Sequence, residues 1–252
     1  MMLFIMRSRR WIKRLGIGLL WLALWHLTYK VVDRALYVPS VMSVIKALLG
    51  LVVDIRFWQI IAASIYRVLA GLFLSLIFGV FMGVACGLNG WLYDFINPIV
   101  KAIKATPVIS FIIIALIWFK STNVPIFIGF LMCFPIIWTN VVAGIRNIDI
   151  KLIEMAKVYQ LKRAVIIRKI YLPHIKPFFT TGVIMALGLG WKVSVAAEVL
   201  SHPQYAIGSN LHSAKAYLDT PLLFAWTIVV IVLSFMFESF FTLWTKESRK
   251  TS

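Results

Sequence analysis

Acid is scarce in this sequence: nine Asp and Glu stand against 26 Lys and Arg, for a formal charge of +17. Cysteine is scarcer still. Cys86 and Cys133 both lie in apolar runs, where they read as small packing residues, so a disulfide-stapled domain is not expected. A G-x-x-x-x-G-K-[ST] stretch is missing, so the chain carries no loop of its own to cradle ATP. "GLGWKVS" has a glycine, a lysine and a serine, but at the wrong spacing and inside an apolar run. His202 and His212 have no carboxylate or cysteine cluster at metal-ligand spacing, and no nucleophile–base arrangement points to an enzyme. The expectation is a chain with no catalytic residue, metal or cofactor of its own.

What is abundant is hydrocarbon. Hydrophobic residues make up 62% of the chain, with a mean hydropathy of +0.92, against about 45–50% in a soluble domain. That excess cannot be hidden in one globular core, so the solvent is a bilayer. The fold class expected is an all-α integral membrane protein. Apolar runs predict about six transmembrane helices, near 15–32, 60–87, 99–119, 124–145, 177–199 and 221–244. The basic head before the first run would suit a signal peptide. No small-x-small cleavage site follows, and Trp21, Trp25 and His26 are bulky, so we read an uncleaved first span with an inside start. Residues 37–58 are too polar and broken for a clear span. Leu48, Leu49, Leu51, Val52 and Val53 fit the face of an interfacial helix, with a seventh span as the alternative. The organisation expected is a basic segment and first span (1–36), an extracytoplasmic interfacial segment (37–58), a core (59–245) with a charged loop at 146–176, and a tail (246–252).

This topology explains the charge without nucleic acid. The inner segments hold Arg7, Arg9, Arg10, Lys13 and Arg14, then Lys101 and Lys104, then eight cations of the 146–176 loop, then Lys246, Arg249 and Lys250. The outer segments hold only Lys30, Arg34, Lys46, Arg56, Lys120 and Lys215. Cations concentrate on the cytoplasmic side of membrane proteins, so both termini are expected inside.

Small residues recur every four positions in two spans: Gly71, Ser75, Gly79, Gly83 and Gly87 in the second, and Gly182, Ala186, Gly190 and Ser194 in the fifth. This spacing lets helix backbones approach closely in lipid. It serves either packing within the chain or a subunit interface or pore wall.

The 146–176 loop is the longest charged stretch. Its first half, "RNIDIKLIEMAKVYQ", puts Ile148, Leu152, Met155, Ala156 and Tyr159 at helical spacing. It predicts an amphipathic helix that rests on anionic lipid or docks in a groove of a partner. Here the residues resemble a known family. Glu154, Ala156, Ile170, Leu172 and Pro173 are similar to the EAA signature of the membrane subunits of binding-protein-dependent ABC importers. Met155 replaces the second signature residue, and Gln160 stands where the family has a glycine, between two short helices. A left-handed turn there would cost Gln160 about 1 kcal/mol. "VPSVMSV", "KATPVISFIIIALIWFKSTN" and "LGLGWKVSVAAEVL" resemble segments of the nitrate/sulfonate/taurine-type permeases, so the likeness covers nearly everything after residue 37.

The resemblance implies a type I ABC importer permease fold with a coupling-helix loop between the fourth and fifth spans. It implies a homodimer forming the pathway and two ATP-binding cassette subunits that hold ATP and Mg, each receiving one loop. It also implies an extracytoplasmic solute-binding protein, a prokaryotic cytoplasmic membrane as the location, and cargo such as nitrate, sulfonates or other small organic compounds. Ionisable groups inside spans are functional candidates because lipid disfavours them. Glu198, on the stripe of the fifth span, and Lys192, six residues earlier on another face, are therefore candidates for the translocation pathway. Arg67 reads as a snorkelling anchor. The competing functions are an ion-coupled secondary transporter, which needs embedded acids, and a non-transporting membrane scaffold.

Overall fold

The computed structural model describes the backbone of residues 2–250 and the side chains of residues 16–239. The basic head from Arg7 to Arg14 and the tail 246–252 therefore lie outside the described side chains. The described residues are helical almost throughout. In order they form α1 (Met2–Val32), α2 (Val41–Val53), α3 (Ile55–Leu88), α4 (Gly90–Ala105), α5 (Val108–Trp118), α6 (Val124–Arg146), α7 (Ile150–Val158), α8 (Arg163–Ile166), a π-helical segment (Ile167–Tyr171), α9 (Leu172–Ser201), α10 (Ile207–Ala216) and α11 (Thr220–Lys250).

The chain forms two compact units. One holds residues 1–58 and 210–229. Within it, Ser40 caps α2 by accepting from Ser43 N at 3.1 Å, as Ser does at a helix start. Trp25 donates to Pro39 O at 3.1 Å and packs on Phe224, while Thr220 donates to Leu36 O at 2.6 Å. The helix predicted between 37 and 58 is thus Val41–Val53, too short to cross a bilayer.

The second unit, residues 59–209 and 230–252, is built around α6. The small residues of α3 all lie against it. A methyl group added to Gly71 would come 2.7 Å from Ile126 O, one on Gly79 2.8 Å from Ile137, one on Gly83 2.8 Å from Val141, and one on Gly87 2.7 Å from Ile145. Ser75 Oγ reaches Phe130 O at 3.0 Å. The stripe of α9 meets α6 as well. Gly182 abuts Asn140, Gly190 abuts Cys133, and Cys133 Sγ donates to Ala186 O at 3.2 Å. Ser194 Oγ donates to Pro125 O at 3.2 Å. Both stripes therefore press on one helix, and both cysteines are buried free thiols.

Among the described residues, four helices are long and apolar enough to cross a membrane: Ile55–Leu88, Val124–Arg146, the continuous Arg163–Ser201 and Thr220–Ser239. Gly16–Val32, at the first expected span, is a shorter apolar helix. The third expected span, 99–119, is not one rod. It is the pair α4 and α5, bent by 102°. Pro107 causes the break, because a residue before proline is driven out of the helical region, and Thr106 is extended at φ −82°, ψ 133°. The pair also begins earlier than the apolar run suggests, since Asn89 caps α4 by accepting from Trp91 N at 3.0 Å. Lys101 and Lys104, expected just past an inner loop, lie in the second half of α4.

Because a Cβ at Gly79 or Gly83 would meet a β-branched side chain fixed on α6, even alanine overpacks the contact. Gly79→Ala and Gly83→Ala should each cost about 1–3 kcal/mol, seen as a lower midpoint for thermal aggregation of the purified protein. Gly90→Ala is the control, because nothing lies within 4 Å of its added methyl. Equal midpoints for all three would remove α6 as the packing axis.

Candidate functional site

At one end of the second unit the charged loop is a hairpin of short helices. Asp149 caps α7, accepting from Lys151 N at 2.9 Å. One face of the helix turns inward: Ile148 and Ala156 are buried and Leu152 and Ile153 half-buried. Ala156, expected to lie in a partner's groove, is instead 0% exposed within its own chain. The opposite face is open and largely apolar, with Ile150 68%, Met155 51%, Val158 80% and Tyr159 72% exposed, and Lys151 and Glu154 exposed among them.

The helix stops in a left-handed turn. Gln160 has φ 50°, Gln160 N donates to Lys157 O at 2.9 Å, and Leu161 N donates to Ala156 O at 3.0 Å. This is the Schellman pattern, normally closed by glycine. Gln160 therefore keeps the geometry that the family's glycine serves, at a conformational cost. The chain then re-enters through α8 and the π segment Ile167–Tyr171, which holds Ile170. Leu172 and Pro173 follow without a break in the helix, and the π segment ends just before Pro173, which has no N–H to donate to the preceding turn. An apolar cleft of about 380 Å³ lies between α7, the π segment and the ends of α3 and α6, lined by Ile153, Lys157, Ile166, Tyr171 and Ile175 among others.

At the opposite end of α9, Glu198 is buried in a closed polar cluster. Arg67 Nη1 donates to Glu198 Oε1 at 2.9 Å, with side-chain exposures of 6% and 1%. Ser64 Oγ donates to Glu198 Oε2 at 2.9 Å, and Gly208 N donates to the same oxygen at 3.1 Å. Arg67 also donates to Tyr205 O at 3.1 Å and Gln204 O at 2.8 Å, and Ile207 N donates to Ser64 Oγ at 3.0 Å. The carboxylate thus clasps α3, the end of α9 and the turn 202–207, where His202 and Tyr205 take φ 47° and 50°. A Cβ on Gly208 would collide with Glu198 Cβ and Val199 N, so only glycine fits there. Arg67 is an ion-pair partner and not a snorkelling anchor. Its guanidinium finds a carboxylate and two carbonyls nearby and has no need to reach water. Lys192 lies exposed on α9, apart from this cluster. Sequence reasoning missed Ser64 and Gly208. The available signal was Ser64 and Arg67, three apart on one helical face, with Arg67 an unbalanced charge in an apolar run.

With this geometry in place, comparison with known proteins settles the class. The chain belongs to the family described as binding-protein-dependent transport system inner membrane component, whose model matches residues 75–250. It is a multi-pass membrane permease subunit of the type I ABC importer kind. More particularly, its relatives put it among the nitrate/sulfonate/taurine-type permeases. It is similar to the taurine transport system permease protein TauC of Escherichia coli (strain K12), 27% identical over 209 residues, covering 81% of this chain and 76% of that protein. It is also similar to the putative aliphatic sulfonates transport permease protein SsuC of Bacillus subtilis (strain 168), 25% identical over 233 residues, covering 91% and 84%. The nitrate import permease protein NrtB of Leptolyngbya laminosa is 32% identical over 146 residues, covering 58% and 52%. In structure the chain is similar to a chain of the MetNI methionine ABC transporter in inward-facing conformations. The TM-score is 0.60 at 16% identity, over 77% of this chain and 98% of that one, which is a likeness of fold.

Removing one partner of a buried ion pair strands the other charge. Arg67→Met and Glu198→Gln should each cost about 3–5 kcal/mol, and the double variant should cost much less than their sum. Thermal midpoints of the purified single and double variants check this. Strictly additive losses would show that the two side chains do not depend on each other.

Proposed function

We propose that this subunit forms the translocation pathway of an ATP-driven importer of a small anionic solute. Its relatives are named for taurine, aliphatic sulfonates and nitrate, which share small size and an oxyanion group, balanced in taurine by an ammonium. In this reading two copies of the chain face each other in a prokaryotic cytoplasmic membrane, with both termini cytoplasmic. Two separate ATPase subunits bind ATP and Mg, each taking one 146–176 loop. An extracytoplasmic binding protein delivers the cargo. ATP favours the closed ATPase dimer, the docked loops follow, and the helices rock between inward-open and outward-open states, a bistable motion biased by differential ligand affinity. Glu154, Gln160, Ile170, Leu172 and Pro173 act in this account by shaping and holding the loop. Ala156 acts as the inward seat of its helix.

The observation that carries the reading is the two-faced helix α7. Its inner face is sealed on its own chain, while Ile150, Met155, Val158 and Tyr159 present an open apolar ridge. A ridge beside a cluster of cations suits a protein groove that buries apolar side chains at its centre and leaves charge at its rim.

The two faces separate in mutation. Tyr159→Ala should weaken ATPase-subunit binding about tenfold, as loss of a central aromatic anchor does, and Val158→Asp should abolish copurification, while both leave permease yield unchanged. Ala156→Asp buries an unpaired acid and should instead lower the yield of the permease itself. Full copurification and full coupled uptake with Val158→Asp would defeat the docking reading. Orientation is checked separately: a cysteine at Lys162 should be shielded from an impermeant thiol reagent in intact cells, and labelling from outside would reverse the topology.

A further inference from the structure

A second polar cleft lies between α4 and α6, near the end of α6 that leads into the charged loop. Its volume is about 360 Å³, and its lining includes Lys101, Lys104, Asn97, Thr139 and Arg146. Three cations line it, and no carboxylate does among the described residues. Two of the cations are held at the cleft. Lys104 Nζ donates to Thr139 Oγ1 at 2.7 Å, and that hydroxyl donates to Pro135 O at 2.6 Å. Arg146 stacks with its guanidinium carbon 3.6 Å from the centroid of the Tyr93 ring. Tyr93 in turn stacks on buried Trp138, with centroids 5.6 Å apart and planes 9° from parallel. Arg146 Nη2 makes one longer contact, 3.4 Å to Cys86 O. Lys101 is three residues from Lys104, so the two ammonium groups are neighbours on one helical face.

Three like charges lining one cleft repel one another. The arrangement becomes favourable when an anion is shared among them. A planar guanidinium fixed on an aromatic ring presents a fork of donors that matches the edge of an oxyanion. Two ammonium groups add point charge without demanding one geometry. The aromatic and valine walls (Tyr93, Trp138, Val100, Val142) leave room for a short apolar body behind the charged head. This chemistry selects a small, singly charged oxyanion: a nitrate, a sulfonate or a carboxylate.

We propose that this cleft is the oxyanion subsite of the pathway, with Lys101, Lys104 and Arg146 holding the charged group of the cargo on its way to the cytoplasm. The proposal rests on the reading of the chain as a permease for small anions, and assigns the charge recognition to α4 and α6 in place of Lys192. The same chemistry would also hold the phosphate of an anionic lipid headgroup, and the test separates the two.

The full transporter, with its ATPase subunits and binding protein, is reconstituted in vesicles of phosphatidylcholine alone and of phosphatidylcholine with phosphatidylglycerol. Nitrate and a simple alkanesulfonate serve as cargo probes. With the Lys101→Gln, Lys104→Gln double variant, and with Arg146→Gln, uptake per ATP hydrolysed should fall about tenfold, the loss expected for one charge-assisted hydrogen bond. Stimulation of ATP turnover by loaded binding protein should be unchanged in the Lys101→Gln, Lys104→Gln variant, and Lys104→Arg should retain uptake. An anion carried equally well by wild type and variants overturns the subsite and leaves the importer reading standing. A wild-type transporter that carries only neutral or cationic solutes overturns both. Wild-type uptake that requires phosphatidylglycerol, with the variants losing that requirement at undiminished uptake, assigns the cleft to lipid and overturns the cargo role. A further measurement leaves the cations in place. A cysteine at Asn97, in the lining, should react faster with an anionic than with a cationic methanethiosulfonate, and nitrate should slow it. Equal rates with both reagents, unaffected by nitrate, would overturn the proposal.

Discussion

The contact on which the rest of the structure depends is the approach of α3 and α9 to α6. In lipid no hydrophobic pressure drives one apolar helix against another, so association rests on packing distance and on polar groups satisfied between helices. Glycine supplies the distance. At Gly79, Gly83 and Gly87 the α3 backbone comes so close to Ile137, Val141 and Ile145 that a single methyl would intrude. Hydroxyls supply the polar part, with Ser75 and Ser194 each reaching a carbonyl of α6. With α6 fixed between its neighbours, its last residue, Arg146, is fixed as well, and so are the start of the charged loop and one wall of the cationic cleft. The same packing brings the outer part of α3 within reach of Glu198.

The two ends of the unit are rigidified by different means. The Glu198 cluster is closed: both carboxylate oxygens, the guanidinium and the Ser64 hydroxyl have partners. A satisfied buried network of this kind specifies one arrangement, because any displacement leaves a charge stranded. The loop end depends on backbone geometry instead. A Schellman turn at Gln160 reverses the chain, and a π segment absorbs the register change before the proline-bearing start of α9. π segments and left-handed non-glycine residues are strained states that a fold retains where the direction of a side chain or helix matters. Under the proposed coupling role the loop is such a place, since a slack turn would dissipate the movement it receives.

Much of this was legible in the sequence, and the failures have identifiable causes. The small-residue stripes carry their own period, so their faces on α3 and α9 follow from residue identity alone. The amphipathic helix of the loop was equally plain, but periodicity gives a face and not its neighbour. Ala156 was read as facing a partner, whereas the helix lies with that face on its own chain and turns Val158 and Tyr159 outward. The break at Pro107 is masked by an apolar run that continues across it, so Lys101 and Lys104, just past the expected inner loop, fall on a separate helix, α4. The partner of Glu198 could not be found locally. Arg67 lies 131 residues away, and only the packing of α3 against α6 and α9 brings the two together.

The same pairing bears on how transport is powered. A secondary transporter needs an embedded acid that exchanges its proton or sodium ion with water on each side in turn. Glu198 is poorly suited to that work. Its oxygens are occupied by Arg67, Ser64 and the Gly208 N–H, and taking up a proton would strand the buried guanidinium beside it. The most deeply buried acid of the described spans is therefore a fastener. Energy must then enter from outside the apolar region. The proposed point of entry is the 146–176 loop, where an exposed apolar ridge stands on helices continuous with, or packed against, the two that hold the core.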